Sequence, residues 1–304
     1  MSDDSYICVI GAAIVDIVGY PKDRLIQGDS IPGHIHISMG GVGRNIAENL
    51  GRLGQSVELL TALGKDHYGV ELSKSCTDVG VGISHSLISP NSPSATNIAL
   101  IDRAGDMHMA IAEVDIFEEM ITDFLEVQWP IISGAKVVVL ETNIPHDLVT
   151  KILTADLKAT IFVDAVSVPF AKKVLGVLGH IDVLKCNQLE AEVLCGKSIE
   201  SEKDAYIAGE KIRDEGVNTV LLTLGQKGVL LCDERGSKIF RPEKVRAINA
   251  IGAGDAFSAG FIYGLSRFDD TSKAVKIGMQ CAEITVQDKN TVSTNISPDL
   301  IVNI

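Results

Sequence analysis

Several short segments of this chain are apolar almost throughout, and they constrain its fold more than any other feature. The segments are 6–10, 57–60, 136–140, 160–163, 182–184 and 219–224. They are rich in β-branched residues and bounded by Gly, Asp or Asn, as strands often are. Apolar residues run continuously instead of alternating with polar ones, which is typical of strands buried on both faces of a parallel sheet.

Segments with helical periodicity separate these predicted strands. In 42–54 one face is apolar and the opposite face is polar, as in an amphipathic helix packed on a core. The polar face carries Arg44, Glu48 and Arg52. Further helices are predicted at 67–79, 145–155, 188–195, 202–215 and 253–265. This alternation of strands and helices predicts an α/β fold with a doubly wound sheet.

Two parts of the chain break the alternation. Residues 34–39 alternate polar and apolar side chains, and 95–101 and 107–112 flank a predicted turn at 103–106. These patterns are typical of half-exposed antiparallel strands. The two parts are predicted to meet as a small sheet that covers a ligand cleft. An ordinary edge hairpin is the alternative.

The run Gly252-Ala253-Gly254-Asp255 places two glycines and a carboxylate where a loop turns into an apolar helix. Backbone N–H groups at a helix N-terminus lack partners and carry partial positive charge, and glycines let a phosphate approach them. Asp255 could take a proton from an attacking hydroxyl. An anion cradle beside a general base suits phosphoryl transfer to an alcohol. A plain helix N-cap is the alternative.

Composition excludes several classes of protein. The formal net charge of −13 argues against nucleic acid or an anionic membrane as the main partner, although not against a bound nucleotide. No apolar run approaches the ~20 residues of a membrane helix, and the acidic start at 1–4 is unlike a signal peptide. The six cysteines form no C-x-x-C pair, so reduced thiols in the cytoplasm are expected.

A glycine-rich loop at 40–45 leads into the first predicted helix. Gly40 and Gly41 let the backbone approach a ligand, and Asn45 offers a donor and an acceptor to hydroxyl groups. Asp16, just beyond the first predicted strand, could accept hydrogen bonds from both hydroxyls of a diol. Taken separately, a capping turn and a solvated loop aspartate are the alternatives.

Two further motifs follow predicted strands at the edge where open α/β sheets bind ligands. Asn187 and Glu190 form an N-x-x-E motif suited to indirect magnesium and phosphate contacts. A helix N-cap with its capping Glu is the alternative. Thr223, Gly225 and Gly228 end another strand and could pass close to a nucleotide, with a β-turn as the alternative.

The order of these motifs along the chain resembles the ribokinase-like (PfkB) family of sugar and nucleoside kinases. The resemblance is carried by Asp16, Gly40-Gly41-x-Gly43-x-Asn45, Asn187-x-x-Glu190, Thr223-Leu224-Gly225-x-x-Gly228 and Gly252-Ala253-Gly254-Asp255. It covers nearly the whole chain. It implies one domain over 1–304, with three α/β/α layers, a central, mostly parallel sheet and a small β-sheet lid. The lid strands would come from about 31–39 and 94–112.

The resemblance also implies a role for each motif, with ATP and Mg²⁺ as cofactors. Asp255 would be the catalytic base, and Gly252, Ala253 and Gly254 would form the anion hole. The sugar would contact Asp16, Gly40, Gly41 and Asn45. The nucleotide would contact Asn187, Thr223, Gly225 and Gly228, and Glu190 with Asn187 would hold magnesium through water. Ala250-Ile251 replace two hydroxyl residues frequent in the family, so a monovalent cation requirement stays open.

Within the family, segments 102–116 and 184–192 are similar to pseudouridine kinases. This similarity implies a positive charge from Lys185 near the transferring phosphate, with a surface lysine at a strand end as the alternative. A nucleobase would need lid contacts around Thr96 and Ala112. The expected substrate is a small ribosyl compound, most of all pseudouridine. A kinase for a free sugar or another nucleoside, and a regulatory protein that binds a ligand without turnover, are alternatives. A homodimer through the lid is expected, because unpaired edge strands invite pairing.

Overall fold

The predicted buried strands lie side by side in one large sheet. The computed structural model describes residues 5–102, 106–243 and 245–301, so the turn predicted at 103–106 lies mostly outside the described residues. The strands are β1 (Ile7–Ile10), β2 (Ile14–Pro21), β3 (Gly33–Gly40), β4 (Val57–Leu60), β5 (Ala62–Gly64), β6 (Val81–Gly82), β7 (Leu87–Ser89), β8 (Thr96–Ile101), β9 (Met107–Glu113), β10 (Val137–Glu141), β11 (Thr160–Asp164), β12 (Val183–Asn187), β13 (Thr219–Thr223), β14 (Val229–Asp233) and β15 (Gly236–Phe240). The helices are α1 (Val42–Arg52), α2 (His67–Thr77), α3 (Thr122–Ser133), α4 (His146–Leu153), α5 (Val168–Ala171), α6 (Gln188–Cys195), α7 (Glu202–Asp214), α8 (Ala253–Phe268) and α9 (Thr271–Val286).

The large sheet has the order β15-β14-β13-β12-β11-β10-β1-β4-β6. Neighbours from β6 to β13 are parallel, and β14 and β15 add antiparallel pairs at one edge. The mostly parallel sheet is therefore confirmed. The chain first extends the sheet on one side of β1 and later on the other. The carboxyl ends of β1 and β10 thus form the switch point at which open α/β sheets bind ligands.

Each central strand contributes to two cores, one on each face of the sheet. On β10, Val138 and Leu140 pack into the core covered by α3 to α7. Val137 and Val139 pack into the opposite core, covered by α1, α2, α8 and α9. Burial on both faces explains why the strand segments are apolar throughout. The sheet is the middle layer and the helices on its two faces are the outer layers of a three-layer α/β/α arrangement.

A second sheet has the order β3-β2-β8-β9, and we call it the lid sheet. β2 pairs antiparallel with β3 and parallel with β8, and β8 pairs antiparallel with β9. No strand is predicted at 14–21 from the sequence, because Asp16 and Gly19 interrupt its β-branched residues. Asp16 therefore lies inside a strand of the lid sheet, so the alternative of a solvated loop aspartate is wrong.

Arg44 and Glu48 on the polar face of α1 are buried, although the pattern of the helix suggests a solvent-facing surface. Arg44 is 1% exposed and Glu48 is 9% exposed. The lid strand β3 leads directly into this helix, and Arg44 donates hydrogen bonds to the backbone oxygens of Met39 and Gly40 at its end. The second sheet thus covers charges that the helical periodicity alone assigns to solvent. Among the described residues, no helix is both long and apolar enough to span a bilayer.

Candidate active site

Polar side chains from separate elements converge where the parallel strands end beside the N-terminus of α8. Asp164 ends β11, Lys185 lies near the end of β12, and Asp255 lies in the first turn of α8. Asn45 of α1 donates from Nδ2 to Asp255 Oδ2 at 2.8 Å. Lys185 Nζ lies 3.1 Å from the Asp164 carboxylate. The fold thus brings together residues that are up to 210 positions apart in the chain.

The turn before α8 has the geometry of an open helix N-terminus. Gly252 is its N-cap with φ 82° and no side-chain capping bond, so Asp255 does not serve as the cap. A Cβ at Gly252 would overlap the backbone oxygen of Thr291, which makes glycine necessary there. The first-turn N–H groups of a helix have no intrahelical partner, so those of Gly254 and Asp255 are available to an anion.

Burial, with a smaller contribution from the nearby Asp164 carboxylate, raises the pKa of Asp255 to about 7. Lys185, the hydrogen bond from Asn45 and the charge of Arg44 act in the opposite direction. A carboxyl group with a pKa near neutrality can both accept a proton and release it. A pKa near 7 is thus compatible with the role of general base expected for Asp255.

The Lys185 ammonium is held against the turn before α8. A Cβ added to Gly254 would lie 3.1 Å from Lys185 Nζ. Burial by itself would lower the pKa of Lys185, but the carboxylates of Asp164 and Asp255 outweigh it and raise the pKa. Asp164 also accepts a hydrogen bond from Ser258 Oγ at 3.0 Å. A fixed positive charge therefore lies beside the candidate anion hole.

Two buried carboxylates at this edge are absent from the sequence-based site. Asp164 and Glu141 are both 0% exposed and end neighbouring strands. Glu141 accepts hydrogen bonds from the backbone N–H groups of Ala12 at 2.7 Å and Asn143 at 2.6 Å. Burial raises the pKa of Glu141 to about 7. The available signal was a carboxylate directly after each apolar run.

Asp16 lies on one face of the lid sheet, in register with Ser38 on β3 and Asn97 on β8. Asn97 Nδ2 donates to Asp16 Oδ1 at 3.0 Å. A Cβ at Gly40 would overlap the Asp16 carboxylate, so the glycine lets strand β3 pass against it. Gly41 has φ 92° and lies against the Ala12 backbone. These glycines are required by the approach of the chain to itself.

The two lid residues expected to meet a nucleobase lie on different faces of the lid sheet. Ala112 is opposite Asn97 and so shares the face of Asp16. Thr96 precedes Asn97 on the same strand, and successive strand residues point to opposite faces. Its Oγ1 donates to the backbone oxygen of Ser94 at 3.1 Å. The structure therefore brings Ala112 to the Asp16 face and does not bring Thr96 there.

Asn187 and Glu190 form a complete capping box at the start of α6. Asn187 Oδ1 accepts from the Glu190 N–H at 3.0 Å, and Glu190 Oε2 accepts from the Asn187 N–H at 2.8 Å. In the part of the chain that the structure describes, no three His, Cys, Asp or Glu side chains cluster as metal ligands. The pair fits magnesium bound through water and phosphate, since Mg²⁺ commonly keeps several waters.

The 223–228 stretch adjoins the same edge. Thr223 pairs in register with Asn187, and its Oγ1 donates to the Cys186 backbone oxygen at 3.3 Å. A short 3₁₀ turn follows from Gly225. Gly228 has φ 105°, and a Cβ there would overlap the backbone oxygen of Phe240. The stretch therefore lies beside Asn187, and the fold itself requires Gly228.

Comparisons with known proteins identify the family of the chain. Residues 4–298 match the family described as pfkB family carbohydrate kinase. The chain is 33% identical over 298 residues to the pseudouridine kinase of Escherichia coli (strain K12), covering 98% of this chain and 95% of that protein. It is 28% identical over 274 residues to the ribokinase of Haemophilus influenzae, covering 88% and 87%.

A solved structure supports the fold independently. The ribokinase of Arabidopsis thaliana, complexed with ribose and ATP, matches with a TM-score of 0.86 and 22% identity, covering 98% of this chain and 99% of that chain. The match over nearly the whole chain and the relative at 33% identity show that this protein belongs to the pfkB family of carbohydrate kinases, phosphotransferases that act on a sugar or nucleoside hydroxyl.

Proposed function

We propose that the protein transfers the γ-phosphate of ATP to the primary hydroxyl of a ribosyl substrate, most of all the 5′-hydroxyl of pseudouridine. The observation that carries this proposal is the Asp255 carboxyl, buried beside the N-terminus of α8 and 2.8 Å from Asn45 Nδ2. A base at the mouth of an anion hole is what transfer from a nucleotide to an alcohol requires. The similarity to a pseudouridine kinase at 33% identity favours the nucleoside.

In this mechanism Asp255 accepts the proton of the substrate hydroxyl. The hydroxyl oxygen forms a bond to the γ-phosphorus while the bond from that phosphorus to the β–γ bridging oxygen breaks, and ADP leaves. The N–H groups of the turn before α8 and the Lys185 ammonium stabilise the charge that develops on the phosphoryl oxygens. Both groups are already in position and held by the fold, so little reorganisation is needed during the reaction.

The nucleotide side of the site would involve the ends of β12 and β13. An ATP complex of a protein with this fold supports the choice of donor. Asn187 and Glu190 would hold magnesium through water, and a bound magnesium ion would neutralise charge on the β- and γ-phosphates. Thr223 and Gly225 lie beside Asn187, and we propose that they line the path of the nucleotide.

The sugar side of the site would involve the lid sheet. The Asp16 carboxylate can accept hydrogen bonds from two ribose hydroxyls while Asn97 holds its orientation. Ala110 and Ala112 lie on the same face of the sheet as Asp16. These small side chains leave room for a flat base next to the ribose. Closure of the lid sheet would exclude water and limit ATP hydrolysis.

A kinase for free ribose is the alternative, and the 28% identity to a ribokinase favours it. ADP release would be measured with Mg-ATP and a panel of pseudouridine, uridine, adenosine, ribose and fructose. We expect turnover with pseudouridine and little with the free sugars. Preferred turnover of ribose would retain the kinase and overturn the nucleoside assignment. Ligand binding without ADP release would instead indicate a regulatory protein.

We also propose a homodimer through the lid sheet, because part of one of its faces is apolar and exposed. Ile37, Ile17, Ile98 and Ile111 form a row across the four strands, opposite the Asp16 face. Ile37, Ile98 and Ile111 are 50%, 49% and 72% exposed. A contiguous apolar patch of this kind marks an interaction site. A second copy of the same sheet would cover it with matching chemistry.

Charged residues in this row should separate the dimer. We expect the Ile37→Lys/Ile111→Lys variant to be a monomer by light scattering, since an unpaired ammonium in an apolar interface costs several kcal/mol. Val127→Lys is the control, because Val127 is 72% exposed on α3, away from the lid sheet. A wild-type monomer, or a dimer that survives both lysines, would contradict the proposal.

We further propose that residues 1–304 act as one kinase domain in the cytoplasm. All six cysteines are buried and free in the structure. Burial raises the pKa of several of these thiols, for example Cys8 and Cys281, so they are weak nucleophiles. Unpaired thiols of this kind are compatible with a reducing compartment.

A further inference from the structure

The buried Arg44 side chain connects the lid sheet to Asn45, which is hydrogen-bonded to Asp255. Its Nε donates to the Gly40 backbone oxygen at 2.9 Å, and its Nη2 donates to the Met39 backbone oxygen at 2.5 Å. The same Nη2 donates to Asn45 Oδ1, and Nη1 is paired with Glu48. One guanidinium therefore binds the end of strand β3, the amide of Asn45 and a neighbouring carboxylate.

These contacts determine which way the Asn45 amide points. An asparagine amide has one acceptor side and one donor side. Because Arg44 is a permanent donor, it binds the oxygen of Asn45 and leaves the amino group directed at Asp255. The reversed amide would place its amino group against the guanidinium and its oxygen against the carboxylate. Arg44 thus enforces the orientation in which Asn45 donates to Asp255.

The positive charge of Arg44 acts on both Asp16 and Asp255, the two carboxylates proposed to contact the substrate. Its charge lowers the pKa of Asp16 and the pKa of Asp255, in each case against the larger raising effect of burial. A Cβ at Gly40 would overlap Asp16, which shows how closely strand β3 approaches that carboxylate. The contacts therefore run from Asp16 through Gly40 and Arg44 to Asn45 and on to Asp255.

We propose that Arg44 is a positioning residue for phosphoryl transfer, which ties the lid strand β3 to the amide of Asn45 and so holds the Asn45–Asp255 hydrogen bond. The proposal rests on the proposed function, in which Asp255 is the base. It assigns Arg44 no contact with substrate. The link fixes only the end of β3 at Met39 and Gly40 to α1, so this end stays in place when the rest of the lid sheet closes.

Other charged groups face the same carboxylate and must be kept in the test. Asp255 is faced by Asp164 on β11, Lys185 on β12 and Glu141 on β10. Around Arg44 itself, Glu48 of α1 pairs with the guanidinium. The charges of Arg44 and Glu48 both affect the pKa of Cys76 on α2. The substitutions below leave all of these groups in place.

The test compares Arg44→Lys and Arg44→Met with Arg52→Met. Arg52 is the matched control, because it also pairs with Glu48 on α1, at 2.7 Å, but makes no hydrogen bond to Asn45 or β3. Thermal unfolding would establish that each variant is folded. The readouts are kcat, KM, the acid limb of the kcat/KM pH profile, and the titration of the Asp255 carboxyl by ¹³C NMR.

Arg44→Lys retains the charge but not the planar fork, so we expect kcat to fall about tenfold or more and the acid limb to rise less than in Arg44→Met. Arg44→Met loses both, so the Asp255 pKa and the acid limb should also rise by roughly one unit. Arg52→Met should resemble the wild type. Wild-type kcat in Arg44→Lys, or an equal loss in Arg52→Met, would overturn the proposal.

Failure of the proposed function gives a different result. A wild-type protein with no turnover on any acceptor would overturn the kinase assignment, and the NMR titration would still test the link. In that case an Asp255 pKa that is the same in the wild type and Arg44→Met would overturn the role of Arg44. A pKa that rises in Arg44→Met but not in Arg52→Met would support it.

Discussion

Asp255→Asn should lower kcat by at least ~10²-fold while leaving ATP binding largely intact. The amide has the shape of the carboxylate but cannot accept the proton of the attacking hydroxyl. The N–H groups of the turn before α8 and the Lys185 ammonium remain in place to hold phosphate. The measurement is steady-state ADP release with the preferred acceptor, together with a separate titration of ATP binding.

The control for this variant is Asp269→Asn, at the other end of the same helix. Asp269 is the C-cap of α8 with φ 50°, a conformation that asparagine also tolerates. We expect its turnover to equal that of the wild type. Near-normal turnover in Asp255→Asn would remove Asp255 from the mechanism.

Asp255→Asn should also unfold at a higher temperature than the wild type at about pH 8. The fold raises the pKa of Asp255 to about 7, so it favours the protonated form. The corresponding stabilisation is present below the pKa of the unfolded chain and is lost as pH rises through about 7. Above that pH the wild type keeps a buried negative charge that the variant lacks. Stability gained with activity lost would identify a functional group and exclude a structural one.

Asp164→Ala should lower the free energy of unfolding by about 3–5 kcal/mol. The substitution leaves the Lys185 ammonium buried without its partner at 3.1 Å, and it removes the acceptor of Ser258 Oγ. Urea unfolding at neutral pH measures the loss. The double variant Asp164→Ala/Lys185→Met removes both charges and should recover much of the stability.

Turnover of the two variants shows whether Asp164 and Lys185 matter for catalysis as well as for stability. We expect kcat of the double variant to remain well below the wild type, because the positive charge beside the anion hole is gone. Recovery of both stability and turnover would show that Lys185 has no part in phosphate binding. An Asp164→Ala protein as stable as the wild type would show that the buried pair is not needed by the fold.

The fold could be predicted wherever one segment carried its own signal. Continuous apolar runs identified the central strands, since such a run is favourable only where both faces of a sheet are buried. Prediction failed for β2, in which Asp16 and Gly19 interrupt the apolar pattern. No helix or strand was predicted from the sequence for α3, α9, β14 and β15. The secondary structure of those elements depends on the other elements that they pack against, which their own sequence pattern does not show.

The candidate site could be predicted in part for the same reason. Asp255 stands out because its neighbouring glycines mark a helix N-terminus in the sequence. Glu141 and Asp164 were missed, since a single carboxylate after a strand is common and gains meaning only when neighbouring strands align their ends. The choice between Thr96 and Asn97 depends on the face of the strand, which the register of the lid sheet sets.

The sequence by itself determined the α/β layers, the open turn before α8 and the family, because these depend on local periodicity and on motifs within short segments. Only the tertiary structure decided that Arg44 and Glu48 of α1 are buried and that Arg44 holds Asn45 towards Asp255. The physical reason is that a side chain's environment depends on which distant element covers it. For Arg44 that element is the end of a lid strand, and nothing in the helical period of α1 reports its presence.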